Sequence, residues 1–272
     1  MTAKAIYDTI ASQYATADCF GSITESHSSA IAQIKQSTIG QKPRIKILDL
    51  GVGDGAFMRR TRQLFPMAEL TGIDVSAKML NHAKIGLSIN TIEASAAEAT
   101  CYLPNHSQDL VIAHFVNAYI PIPVLFKQAQ MLTRANGHFS IITTTYESFP
   151  VAQQLLADFI ARDSILSSIV GHYYKAVVKN TTVATDKDEL IRALQQHQFE
   201  VVEHQRLQIP ITLNSVDELL LFGIEGGWFL NSLSVKILPR NFLLQRIKSV
   251  FSKIFTFPYQ DTHIIDVILA KK

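Results

Sequence analysis

From residue 45 onward, short apolar runs alternate with segments whose apolar positions recur every three or four residues, the two periods expected of strands and helices. IKILDL (45–50) reads as a buried strand, followed by a glycine-rich loop and a helix to about Phe65. A second strand, ELTGIDV, leads to a helix from Ser76 to about Ile85 and a third strand, INTIEA, near residue 90. A fourth strand, DLVIAHF, begins at Asp109. A helix over Pro123–Arg134, an Asn136-Gly137 turn and a fifth strand, HFSIITTTY, come next. Strands separated by helices long enough for right-handed crossovers predict a doubly wound, mainly parallel α/β sheet.

The remaining segments depart from that rhythm. Residues 1–44 read as a helical cap, with Ile6, Tyr7, Ile10 and Tyr14 at helical spacing, and 147–185 looks helical and irregular. Asp186 and Glu189 are spaced as a capping box that opens a helix to Gln196, and the strand FEVVEHQRLQI follows. After Pro210 the alternation stops, returning only in THIIDVILA (262–270). The 272 residues are therefore read as a cap, 1–44, and one domain, 45–272, carrying insertions at 147–185 and 210–261.

Composition narrows the classes. A chain that is 47% apolar and 18% charged can bury a large core and is no disordered polyelectrolyte. The net charge of +2 lacks the clustered basicity of a protein built on phosphate contacts, which argues against a nucleic-acid partner. After residue 230, however, seven Lys and Arg face only Asp261 and Asp266. There 240–257 forms a basic amphipathic segment suited either to an anionic membrane surface or to packing on the domain. Cys19 and Cys101 suggest neither a disulfide framework nor a metal site. With no secretion signal or membrane span, the expected location is cytoplasmic.

The informative segment is ILDLGVGDGAF, 47–57, at a strand-to-helix junction. Gly51, Gly53 and Gly55 allow a tight loop, and the helix after it aims amide groups at a ligand. A dinucleotide's pyrophosphate would meet repulsion from Asp49 and Asp54, whereas a ligand with an ammonium and a sulfonium group, as in S-adenosylmethionine, would be attracted. Asp74, about twenty residues on, can accept bonds from ribose hydroxyls in either ligand. An NAD(P)-dependent oxidoreductase thus stays as an alternative.

DLGVGDGAF followed by GIDVSAKMLNHAK resembles the first two motifs of class I S-adenosylmethionine-dependent methyltransferases, particularly the small-molecule branch, and LTRANGHFSII resembles their fifth-strand region. The resemblance implies a Rossmann-like seven-stranded sheet with an antiparallel last strand and helical lid insertions. It further implies that Asp49, Gly51 and Gly53 surround the methionine moiety, that Gly55 belongs to the cofactor site and that Asp74 holds the ribose. Val75 and Met79 would pack on adenine, with Ala96, Ala97 and Ala113 completing the cofactor ring. The family's acidic residue after the third strand is missing from EASAAEA (93–99), leaving Glu98 as a substitute. Tyr7 and Tyr14 match an N-terminal helix that closes over the cofactor, or are core aromatics.

His114, at the end of the fourth strand, is a candidate general base or substrate-orienting group. Tyr146, His172 and Trp228, in and beside the insertions, are candidates for contacting the acceptor. The sparsely charged stretch 208–239 suggests a small, apolar or aromatic acceptor, and S-adenosylhomocysteine would be the product. A cofactor-binding regulatory module without turnover is the competing class.

Overall fold

A computed structural model describes residues 3–11, 18–162, 164–180, 182–225 and 240–272. Helices α1 (Ala3–Ile10) and α2 (Ser22–Gln36) precede strand β1 (Lys46–Leu50). Then come α3 (Ala56–Leu64), β2 (Glu69–Asp74), α4 (Ala77–Ala83), β3 (Asn90–Glu93), β4 (Gln108–His114), α5 (Ile122–Leu132) and β5 (Thr133–Thr143). The chain continues through α6 (Pro150–Ile160), α7 (Ile165–Asn180), α8 (Lys187–Gln196), β6 (Glu200–Leu213), α9 (Val216–Glu225), α10 (Arg240–Ile254) and β7 (Tyr259–Lys271). All seven strands join one sheet in the order β3-β2-β1-β4-β5-β7-β6, and β7 runs antiparallel to both neighbours. The Rossmann-like doubly wound sheet expected from the sequence is therefore present.

The central strands are apolar at successive positions because both faces are covered. Ile47 and Ile112 face a cluster with Ile34 of α2, Met58 of α3 and Leu80 of α4. Leu48 and Val111 face the opposite cluster with Phe126 of α5 and Leu194 of α8. Asp186 caps α8 as expected, its Oδ1 accepting from the Glu189 amide at 2.8 Å, while the returning bond of Glu189 Oε2 goes one residue before the cap, to the Thr185 amide at 2.7 Å.

The sixth strand differs from the sequence reading, and the amphipathic segment takes one of the two roles read for it. The sixth strand does not stop at Pro210 but continues to Leu213, pairing Pro210 with Thr262 and Leu213 with Tyr259. β6 is the edge strand, where a missing N–H is tolerated. The insertion between the last two strands thus begins and ends inside 210–261. In the amphipathic segment, Val250, Phe251, Ile254 and Phe255 pack into a third cluster with Phe159, Ile211, Leu213, Leu219, Phe222 and Tyr259. Lys248 pairs with Asp217 of α9 at 2.5 Å, while Lys253 is exposed. Over 250–255 the apolar stripe of α10 packs on the domain, the second of its two sequence readings. Among the described residues no helix is long and apolar enough to cross a membrane.

Ile254, 7% exposed in that third cluster, gives a direct check. Ile254→Ala should cost about 2 to 5 kcal/mol of stability in urea unfolding, the usual range for a buried large-to-small change. A loss below about 0.5 kcal/mol, typical of surface positions, would mean that α10 does not dock as described.

Candidate active site

The loop after β1 lies at the C-terminal edge of the parallel strands, where open α/β sheets bind ligands. It is tied to β2: the Gly51 and Val52 amides both donate to the Ile73 carbonyl, at 2.8 and 2.9 Å, and the Gly53 amide donates to Asp74 Oδ2 at 3.0 Å. Gly51 has φ 102°, and a Cβ there would lie 2.4 Å from Val116 Cγ2. Only glycine serves at that position. At Gly53 a Cβ would meet nothing within 4 Å, so this side of the loop is open. Gly55 is the N-cap of α3 and supplies no side-chain cap.

Two carboxylates sit beneath this loop. Asp49 is 3% exposed and its Oδ1 has no hydrogen-bond partner. Desolvation, reinforced by the charge of Asp74, pushes its pKa up to about 8. Burial also raises the Asp74 pKa, opposed by amide donors from Ser76, Gly53 and Val75. Asp74 Oδ1 accepts from the Ser76 amide at 2.8 Å. Such a pair is costly to ionise alone, and a bound cation would relieve that cost.

Helix α1 crosses the ends of β2 and β3. Lys4 Nζ donates to the Val75 carbonyl at 3.1 Å and to Glu93 Oε1 at 2.6 Å, and Ser76 Oγ donates to Asp8 Oδ1 at 2.6 Å. The Tyr7 hydroxyl donates to that of Tyr119 at 3.0 Å, with the rings edge to face. Val75 is half-buried, whereas Met79 and Ala96 are closed off from solvent; Ala97 is half-buried in the short 3-10 turn that follows. Glu98 is exposed. Ala113 is buried in β4. Tyr14 lies outside the described residues.

His114 ends β4 with Nε2 3.1 Å from Ser140 Oγ and Nδ1 without a partner. Burial and the neighbouring His27 hold its pKa well below the ordinary histidine range, so the ring is neutral at physiological pH. Phe57 stands edge-on at 4.2 Å, and His27, whose pKa burial lowers to about 3, is 5.6 Å from His114. Tyr146 is half-buried after β5, His172 is exposed on α7, and Trp228 lies outside the described residues. Among the described residues no three His, Cys, Asp or Glu side chains gather as a metal site.

Sequence reasoning missed three residues. Glu93 ends β3 directly beside Asp74 in the strand register, a position that the end-of-strand logic used for Asp74 could have flagged. Asn117 is buried after β4; it accepts from Thr143 Oγ1 at 2.6 Å, while its Nδ2 has no partner. Lys4 carried no local signal at all.

The sequence profile described as a methyltransferase domain matches residues 47–137, the stretch that holds this loop and both carboxylates. This part of the chain, about a third of its length, is similar to methyltransferase domains. Its similarity to the YcgJ protein from Bacillus subtilis covers 92% of this chain and 98% of that one, at TM-score 0.59 and 13% identity. Geranyl diphosphate C-methyltransferase from Streptomyces coelicolor, solved with S-adenosyl-L-homocysteine, gives TM-score 0.50 at 12% identity, over 92% and 79% of the two chains. At these identities the likeness is one of fold. Ribosomal RNA small subunit methyltransferase C from Pasteurella multocida is 28% identical over 121 residues, 42% of this chain and 37% of that protein. Its namesake from Haemophilus influenzae is 26% identical over 151 residues, 53% and 44%. The chain thus spans less than half the length of the curated relatives it matches. These relatives overturn the exclusion of nucleic acid, and with it the restriction to a small-molecule partner. That exclusion rested on net charge, which averages over the whole surface and is blind to local binding patches.

The raised pKa of Asp49 has a signed consequence. Between about pH 4 and pH 8 the unfolded chain has released this proton while the folded chain retains it, so stability falls as pH rises through that window. Asp49→Asn lacks the effect. The melting-temperature advantage of the variant over the parent, without ligand, should grow from pH 5 to pH 8 and level off above. A constant difference would refute the buried, unpartnered placement.

Proposed function

We propose that this chain binds S-adenosylmethionine in the glycine-loop cradle and transfers its methyl group to an acceptor that presents an apolar or aromatic face. The observation that carries the reading is the pair Asp49 and Asp74. A buried carboxylate with an unpartnered oxygen, held close to a second one, fits a ligand bearing ammonium and sulfonium charge and repels a pyrophosphate. When bound, S-adenosylmethionine supplies a methyl group already activated on sulfur for in-line displacement, leaving placement as the protein's main task.

The chain's own groups divide that task. Asp49 contributes negative charge, and Asp74, which accepts from the Gly53 and Ser76 amides, keeps lone-pair capacity for ribose hydroxyls. Glu93 stands beside it in register. Helix α1, through Lys4, Tyr7 and Asp8, lies over the ends of β2 and β3 on that side of the cleft. His114, held neutral by burial, gives the acceptor side a polar group rather than a charge. Phe20, Phe149 and Phe222 form an apolar wall by the ends of β6 and β7, with Phe149 stacked on His263 at 4.6 Å. The names of the curated relatives favour a ribosomal RNA base as the aromatic face.

Transfer of labelled methyl from S-adenosylmethionine to small-subunit ribosomal RNA and to a panel of aromatic small molecules tests this. Label in either fraction supports methyl transfer and names the acceptor class; cofactor binding with no transfer to any of them favours the regulatory module. Asp74→Ala should weaken S-adenosylmethionine binding by about 1 to 3 kcal/mol, the loss expected for charged hydrogen bonds. An unchanged dissociation constant would remove Asp74 from the site.

A further inference from the structure

We infer that Arg59 is a positioning residue that sets the glycine loop for its ligand; the inference rests on the cofactor reading above. Arg59 belongs to α3, yet its guanidinium turns back to the loop. Nη1 and Nη2 donate to the Asp54 carbonyl at 2.7 and 2.9 Å, and Nη2 also reaches the His82 carbonyl at 3.3 Å. Among the described residues it forms no ion pair, so its donors are committed to carbonyl oxygens. The peptide that follows Asp54 is planar and trans, which points its carbonyl and the Gly55 amide in opposite directions. Holding one therefore aims the other, and the Gly55 amide closes the turn on the Val52 carbonyl at 3.0 Å. The side chain of Asp54 fixes the next amide, since Ala56 N donates to its Oδ1 at 3.0 Å.

His82 lies in the last turn of α4, the helix that begins three residues beyond Asp74 with Ser76 as its N-cap. One guanidinium thereby ties the loop that cradles the ligand to the helix that follows the ribose-binding carboxylate. The arrangement is tight, because a Cβ on Gly55 would lie 2.9 Å from Ala83 Cα and 3.1 Å from Arg59 Nη1. Lysine cannot reproduce it, as a single ammonium does not span two carbonyls in a planar fork. Arg62, one turn further along α3, is a matched control. It also donates to backbone carbonyls, those of Pro66, Ala68 and Ser88, but none of these belongs to the loop.

The test compares Arg59→Met, Arg59→Lys and Arg62→Met by calorimetric titration with S-adenosylhomocysteine and by amide hydrogen exchange of the ligand-free proteins. Arg59→Met should weaken binding about tenfold and speed exchange at the Gly55 and Ala56 amides by a similar factor. Arg59→Lys should restore part of both, and Arg62→Met should lose stability with unchanged affinity. Parent protein that binds, with Arg59→Met binding equally well, overturns the inference alone. So does an equal loss in Arg62→Met, which would mark a general packing effect. Parent protein that does not bind S-adenosylhomocysteine overturns the cofactor reading and this inference together.

Discussion

The buried carboxylate of Asp49, held beside that of Asp74 under a loop that must be glycine, is the constraint on which the site depends. An ionised acid in a desolvated position is expensive unless something compensates it, and no protein donor reaches its Oδ1. The chain instead leaves the group protonated near neutrality and ready to ionise when a positive ligand arrives. Such a site discriminates by charge sign before shape. On the proposed reading the same pair would welcome a sulfonium and an ammonium and disfavour a dinucleotide, although both ligands would use the same ribose contact.

The sheet places these groups by register. Asp49 lies opposite Gly72, and Asp74 opposite Glu93, so three carboxylates from three adjacent strands reach the C-terminal edge together. The glycine loop then hangs from the Ile73 carbonyl on one side and from Arg59 on the other. Beyond β4 the edge changes character. His27, Phe57 and His114 form a neutral aromatic corner, and the Phe20, Phe149 and Phe222 rings continue it toward β7. A charged half and an apolar half therefore lie along one edge, the division on which the proposed placement of cofactor and acceptor rests.

Local patterns in the sequence carried the parallel core, the glycine loop and the α8 cap, because each depends on residues within about ten positions of one another. What lay beyond reach was set by partners far along the chain. Pro210 reads as a strand end, yet β6 passes through it because β7 is long and β6 has no second neighbour. The stripe on α10 is legible as amphipathic, but its destination against Phe159 and Leu219 is not. Tyr7 stood out by spacing, while its partner Tyr119 is 112 residues away. Arg59 looks like any helix arginine until the turn of α4 is placed beside it. Net charge misled most, since it bears on neither the acceptor nor the local surface that would meet it.

The most direct test of the central claim is the proton balance of ligand binding. S-adenosylmethionine titrated calorimetrically into the parent protein at pH 7, in two buffers of different ionisation enthalpy, should bind with release of a proton, because Asp49 ionises as the cationic ligand arrives. In Asp49→Asn that release should vanish. Binding with no proton release from the parent protein, or no binding at all, would contradict the account.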